Sequence, residues 1–215
     1  MKKENVSDNG IRIVESEGRA SITENGIKIQ GEEKKPVRGR LIKVGFVYLV
    51  IDCSGSMEGQ KLEQAKRGAL SFAKDALTKE YSIGLVQFES EVTHLCEPQR
   101  NVEILDKYLQ KMEAGNTTNM TDAIRLTTKK LKNKAGFRVM VIITDGMPNN
   151  EERALRAAEQ AKSNKIDIIT IGTSDADEDF LKKLASKNEL NVMVSESQLE
   201  RGIVSTAKML PQYGK

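Results

Sequence analysis

Apolar residues fill positions 44–51 almost without interruption, then give way abruptly to Asp52-Cys53-Ser54-Gly55-Ser56. A short continuous run rich in Val, Ile and aromatic residues predicts a strand buried on both faces. From 59 to 78 the period changes. Leu62, Ala65, Ala69, Phe72, Ala73 and Ala76 fall near one face of a helix. Positions 81–88 and 91–96 read as strands, and the short gap between them makes the pair an antiparallel hairpin. Helices are predicted at 101–112 and at 122–131, the second with Thr121 as its N-cap. Then follow a buried strand at 137–144, a helix at 151–163, a strand at 166–172, a helix at 178–186 and a short strand at 191–194. A helix at 196–210, stopped by Pro211, closes the chain.

Strands alternating with helices of this length define an α/β protein. The expected architecture is a doubly wound, mainly parallel six-stranded sheet with helices on both faces and one antiparallel edge strand at 91–96. Right-handed crossovers restrict the order of its strands. In such a sheet, ligands bind beyond the carboxyl ends of the strands, where the winding reverses. Residues just after the central strands are therefore the first to inspect.

The first forty residues follow another pattern. Asn9-Gly10, Glu17-Gly18, Asn25-Gly26 and Gln30-Gly31 punctuate short alternating stretches, as in small β-hairpins with Asn-Gly turns. Residues 1–40 are expected to form a hairpin-like or partly disordered extension, too small for a core of its own. Glu32-Glu33-Lys34-Lys35-Pro36 reads as the linker to the main domain at 41–215.

Composition narrows the possibilities. Aromatic residues make up 4% of the chain and Trp is absent, so aliphatic side chains must fill the core, as they do in parallel sheets. The net charge of +3 is spread along the chain, and the lysines at 129, 130, 132 and 134 have no aromatic residues interleaved with them. Solvated faces account for these stretches better than a nucleic-acid footprint does. No run approaches the ~18 apolar residues of a membrane span, and Met1-Lys2-Lys3-Glu4-Asn5 lacks the apolar segment of a secretory signal. A cytoplasmic location follows as the expectation, with Cys53 and Cys96 reduced, since neither sits in a metal-ligand spacing.

Three clusters fall on the rim where chemistry is expected. They are Asp52-Cys53-Ser54-Gly55-Ser56-Met57, the segment Gly115-Asn116-Thr117-Thr118-Asn119-Met120-Thr121-Asp122 just before a helix, and Asp145-Gly146. All the candidate ligands are oxygen donors, which select Mg²⁺, Mn²⁺ or Ca²⁺. The alternation Asp52-x-Ser54-x-Ser56 lets a tight loop aim three side chains at one centre. Asp, Ser and Gly are also common turn residues, so each cluster alone says little. Their convergence on one sheet edge says more.

Val50-Ile51-Asp52-Cys53-Ser54-Gly55-Ser56-Met57 resembles the metal-ion-dependent adhesion site (MIDAS) of von Willebrand factor A-type (VWA) domains. Thr118-Asn119-Met120-Thr121-Asp122-Ala123-Ile124 resembles the family's threonine segment, and Ile143-Thr144-Asp145-Gly146 its second aspartate segment. The resemblance spans about residues 43 to 210 and implies a Rossmann-like VWA fold. It also implies a site at Asp52, Ser54, Ser56, Thr118 and Asp145 that holds one cation, with Mg²⁺ first and Mn²⁺ or Ca²⁺ as alternatives. Ser54, Ser56 and Thr118 would touch the ion, while Asp52 and Asp145 would often act through water. Thr117 competes with Thr118 for its role. Asn116-Thr117 stand where the family usually has Gly-Gly.

What the resemblance implies about function is a non-enzymatic protein-binding module that engages an Asp or Glu of a partner through its metal. It is similar to small intracellular VWA proteins associated with tellurite resistance or with AAA+ ATPases, so an ATPase or another complex subunit is an expected partner. Two alternatives compete. One is a Mg²⁺-dependent hydrolase or phosphotransferase with Asp52 as nucleophile. It lacks a second carboxylate two residues on, where Ser54 stands. The other is a nucleic-acid-associated VWA protein. His94 sits in the predicted edge strand, away from Ser54, so a Ser-His-Asp triad is not expected. Gly55-Ser56-Met57-Glu58-Gly59-Gln60-Lys61 is too short in its glycine spacing for a phosphate-binding loop. Asp175, Asp177, Glu178 and Asp179 are expected to cap a helix and offset its dipole, with a second cation site as the alternative.

Overall fold

The computed structural model describes residues 11–12, 20–23, 26–29, 42–146 and 148–212. Strand β5 (Gly45–Asp52) lies near the middle of a six-stranded sheet and is buried along its whole length. It pairs in parallel with β6 (Tyr81–Phe88) on one side and with β8 (Phe137–Thr144) on the other. Beyond β6, the edge strand β7 (Val92–Gln99) runs antiparallel. Beyond β8 come β9 (Asp167–Thr173) and β10 (Asn191–Val194), both parallel. The order is thus β10-β9-β8-β5-β6-β7. The chain winds outward from β5 to β7, then crosses back to β8 and winds the other way, so the winding reverses between β5 and β8. The six-stranded, mainly parallel architecture expected from the alternation is the one observed.

Alternate residues of β5 serve two cores. Val47, Leu49 and Ile51 pack with Phe72, Leu105 and Ile203 beneath α1 (Gln60–Thr78), α2 (Val102–Gln110) and α6 (Leu199–Thr206). Phe46, Tyr48 and Val50 pack with Ile124, Ala158 and Phe180 beneath α3 (Met120–Leu131), α4 (Glu151–Ser163) and α5 (Glu178–Leu184). Gly84 on β6 is required by this packing. A Cβ there would lie 2.4 Å from the buried Tyr48 ring.

Three of the differences from the sequence expectation have a plain local cause. The N-cap of α3 is Asn119, whose side chain accepts a hydrogen bond from Asp122 N, so the helix begins at Met120 rather than after Thr121. Asn is among the strongest N-cap residues, and it stands two positions earlier than Thr121. The edge strand runs on to Gln99, past Pro98, because an edge strand tolerates a residue without an N–H. The predicted closing helix is divided into 3-10 turns at Glu196–Gln198 and Ala207–Met209 that flank α6. Ser205 and Thr206 donate to the carbonyls of Gly202 and Ile203, local bonds that compete with the helical ladder.

Of the N-terminal hairpins, β2 (Ala20–Thr23) and β3 (Gly26–Ile29) pair antiparallel. β1 (Ile11–Arg12) pairs antiparallel with β4 (Ile42–Lys43). The other turns expected in residues 1–40 lie outside the described residues.

Candidate metal centre

Strand β5 ends at Asp52, and β8 at Thr144, so the following loops meet on the rim where the winding reverses. Asp52 is wholly buried. Its Oδ1 accepts from Ser54 N at 2.8 Å, and its Oδ2 accepts from Thr144 Oγ1 at 2.5 Å. Thr144 Oγ1 in turn accepts from Gly146 N at 3.1 Å. These bonds fix the loops after both strands to one carboxylate. Burial pushes the Asp52 pKa up to about 6, against the lowering influence of the hydrogen bonds from Thr144 and Ser54.

A 3-10 turn at Gly55–Met57 then brings the serine hydroxyls round. Ser54 Oγ and Ser56 Oγ are 3.1 Å apart, and Ser56 Oγ donates to Asp145 Oδ1 at 2.8 Å. Met57 buries its side chain and anchors the turn, and Gly59, at φ +79°, redirects the chain into α1. Cys53 points into the core under α1. Burial pushes its thiol up to about 12, which makes it an inert packing residue.

The threonine segment closes the third side. Gly55 N donates to Asn116 O at 3.3 Å, Gly115 N to Cys53 O at 2.6 Å, and Asn149 N to Thr118 O at 3.2 Å. The segment is therefore tied to the loops after both β5 and β8. Thr118 is buried and Thr117 is exposed. Glu89, just after β6, accepts from Asn116 N at 3.1 Å and from the backbone and hydroxyl of Ser90, bonds that hold its carboxyl below the usual range. Glu89 was not singled out in the sequence, and Thr144 entered only as a member of the Asp145 segment, with no role of its own. A carboxylate after a strand and a threonine before an aspartate carry no signal until the loops meet.

Lys61 entered the sequence reading only as the end of the segment too short for a phosphate-binding loop. From the first turn of α1 its Nζ reaches Asp145 Oδ2 at 2.7 Å, Asp175 Oδ2 at 3.1 Å and Glu196 Oε1 at 3.0 Å. Burial works against the charge, but these three carboxylates outweigh it and hold the ammonium above its ordinary range. Asp175 thus pairs with Lys61 instead of capping a helix. Asp177 caps α5 by accepting from Phe180 N, and Glu178 and Asp179 occupy the first turn as expected.

Among the described residues, no three His, Cys, Asp or Glu side chains form a metal-binding group. A cation on this rim would draw on the serine and threonine hydroxyls together with the carboxylates of Asp52 and Asp145. In an octahedral oxygen shell with bonds of ~2.1 Å, neighbouring ligands stand ~3 Å apart. The 3.1 Å between the serine hydroxyls and the 2.8 Å from Ser56 to Asp145 match such edges. The donor set therefore suits a hard divalent ion. His94 is engaged elsewhere, with Nε2 3.0 Å from Tyr48 Oη on the edge-strand side of the sheet.

Residues 47–205 match the model of the von Willebrand factor type A domain, and the chain belongs to that family. Among its relatives, an uncharacterised protein of Synechocystis is 26% identical over 159 residues, covering 71% of this chain and 38% of that protein. The human inter-alpha-trypsin inhibitor heavy chain H3 is 27% identical over 161 residues, 66% of this chain and 18% of the relative. The chain thus spans well under half the length of these relatives. The fold is shared with the von Willebrand domain of the type V pili tip protein Mfa5 from Porphyromonas gingivalis. Its TM-score is 0.72 at 14% identity, over 77% of this chain and 94% of that one. It is shared too with proximal thread matrix protein 1 from the mussel byssus, a structure with zinc in its MIDAS motif. There the TM-score is 0.67 at 15% identity, over 77% and 45% of the two chains.

Proposed function

We propose that the chain is a metal-dependent protein-binding module whose MIDAS, built from Asp52, Ser54, Ser56, Thr118 and Asp145, engages a carboxylate of a partner protein. The observation that carries this reading is the cluster of Ser54 Oγ, Ser56 Oγ and Asp145 Oδ1 at ligand-to-ligand spacing on the reversal rim. Mg²⁺ fits this set of hard oxygens, and Mn²⁺ should replace it. When bound, the ion supplies an electrophilic centre able to accept one further oxygen.

The residues divide the work. Asp52 braces the serine loop through Ser54 N and the β8 loop through Thr144. Ser54 and Ser56 present neutral oxygens, which leave a bound cation's charge largely uncompensated and so favour an incoming anion. Thr118 is buried on a loop tied to Gly55 through Asn116, to Asn149 and to Glu89, and its hydroxyl is assigned the remaining neutral oxygen of the set. An enzymatic role for Asp52 fits poorly, because the side chain is wholly buried with both oxygens engaged.

The mussel protein's zinc-occupied MIDAS supports a divalent ion in this fold. A cytoplasmic setting and membership of an AAA+ ATPase-containing complex are part of the same proposal. The test is a pull-down in Mg²⁺ followed by binding measurements on the captured protein. The complex should dissociate in EDTA and weaken at least ~10-fold when the contacting Asp or Glu of the partner becomes Ala, about 1.4 kcal/mol. Asp145→Ala should abolish it without unfolding the domain. A complex that forms equally well in EDTA with that carboxylate removed would rule the reading out.

A further inference from the structure

Lys61 lies in the first turn of α1, where the helix dipole favours anions over cations. Its place there needs an explanation, and the explanation is local. Asp145, Asp175 and Glu196 come from the loops after β8, β9 and β10, and all three converge on the one ammonium. The three are not equivalent. The Asp145 side chain is 0% exposed, whereas those of Asp175 and Glu196 are 59% and 54% exposed. Asp145 also divides its oxygens, Oδ1 accepting from Ser56 and Oδ2 from Lys61.

We infer that Lys61 is a tethered counter-cation that competes with the divalent ion for Asp145, and that Asp175 and Glu196 form a harbour that keeps Lys61 paired when Asp145 serves the metal. The inference rests on the metal site proposed above.

A buried carboxylate without a counter-charge is a costly state, and the Lys61 ammonium spares Asp145 that state. The same positive charge, held beside the site, repels any second cation by Coulomb's law. Two exposed carboxylates reduce that conflict. Exposed ion pairs are individually weak, so Lys61 can transfer its weight from Asp145 to Asp175 and Glu196 at small cost. One ammonium among three carboxylates is what such an exchange requires. Lys61 is then a positioning residue that sets how much Mg²⁺ or Mn²⁺ is needed to fill the site.

The experiment is Mn²⁺ titration by calorimetry on the full 215-residue chain, with thermal melts in EDTA to establish that each variant folds. Lys61→Met should tighten Mn²⁺ binding about tenfold or more, while Lys61→Arg, which keeps the charge, should stay within about threefold of the parent. The pair Asp175→Asn with Glu196→Gln should weaken binding about threefold or more. In the Lys61→Met background that pair should have less effect, because the harbour acts through Lys61. A merely structural lysine would give unchanged or weaker binding in Lys61→Met, and that result overturns the inference. If Lys61→Met is without effect while Asp145→Ala loses Mn²⁺, only the inference fails. If the parent chain binds no Mn²⁺, the metal reading fails and the inference with it.

Discussion

Asp52 bears its carboxylate in a place water does not reach, and this governs how the site answers to pH. Its pKa is raised from 3.8 to about 6 by burial, so between those values the folded chain holds a proton that the unfolded chain has released. The sign follows directly. Stability from this proton is full below the unfolded value and is lost as pH rises through about 6. In EDTA, the stability of the parent relative to Asp52→Asn should therefore increase as pH falls from 7.5 to 4.5, by about 2 kcal/mol, since one pKa unit corresponds to ~1.4 kcal/mol. Urea unfolding at several pH values checks it. A stability difference that is flat across that range, or that shrinks toward acid, would show that burial does not disfavour the Asp52 charge.

At the scale of elements, strand β5 was legible because it is buried on both faces and so reads as a continuous apolar run. The ends of elements were less legible. Asn119 and Thr121 are both acceptable caps, and only the geometry of the loop bound to Glu89 and Asn149 chooses between them. The break in the last helix depends on Ser205 and Thr206 turning their hydroxyls back to the chain, which helical periodicity does not report. The role of Gly84 was also hidden, since it depends on its register opposite Tyr48 in the neighbouring strand. There a Cβ would meet the Tyr48 ring at 2.4 Å, and the ring is held by His94 and Glu97 at its hydroxyl. Gly84→Val should cost about 1–3 kcal/mol through overpacking, read as a lower urea midpoint. Mn²⁺ affinity should be little changed, because the clash lies at mid-strand opposite Tyr48, four residues short of Asp52 on the rim. A variant as stable as the parent would mean that the sheet yields at this point more readily than its packing suggests.

Across the whole molecule, the site exists because the sheet reverses its winding between β5 and β8. Ser56 and Asp145, which hydrogen-bond to each other, stand 89 positions apart in the chain. The sequence showed both halves because each is a short cluster after a buried strand, and the doubly wound pattern places such ends on one rim. The Lys61 network was not legible in the same way. Its bond to Asp175 spans 114 positions and joins a helix start to a loop with no motif of its own. The longer the separation and the weaker the local signal, the more the contact belongs to the fold alone. The central claim is that this rim is a divalent-cation site with Asp52 as its brace. Calorimetric titration of Mn²⁺ into the parent chain and into Asp52→Ala tests it most directly. The account predicts one ion bound per parent chain and at least a tenfold weaker affinity, about 1.4 kcal/mol or more, in the folded variant; equal affinity in the two proteins would contradict it.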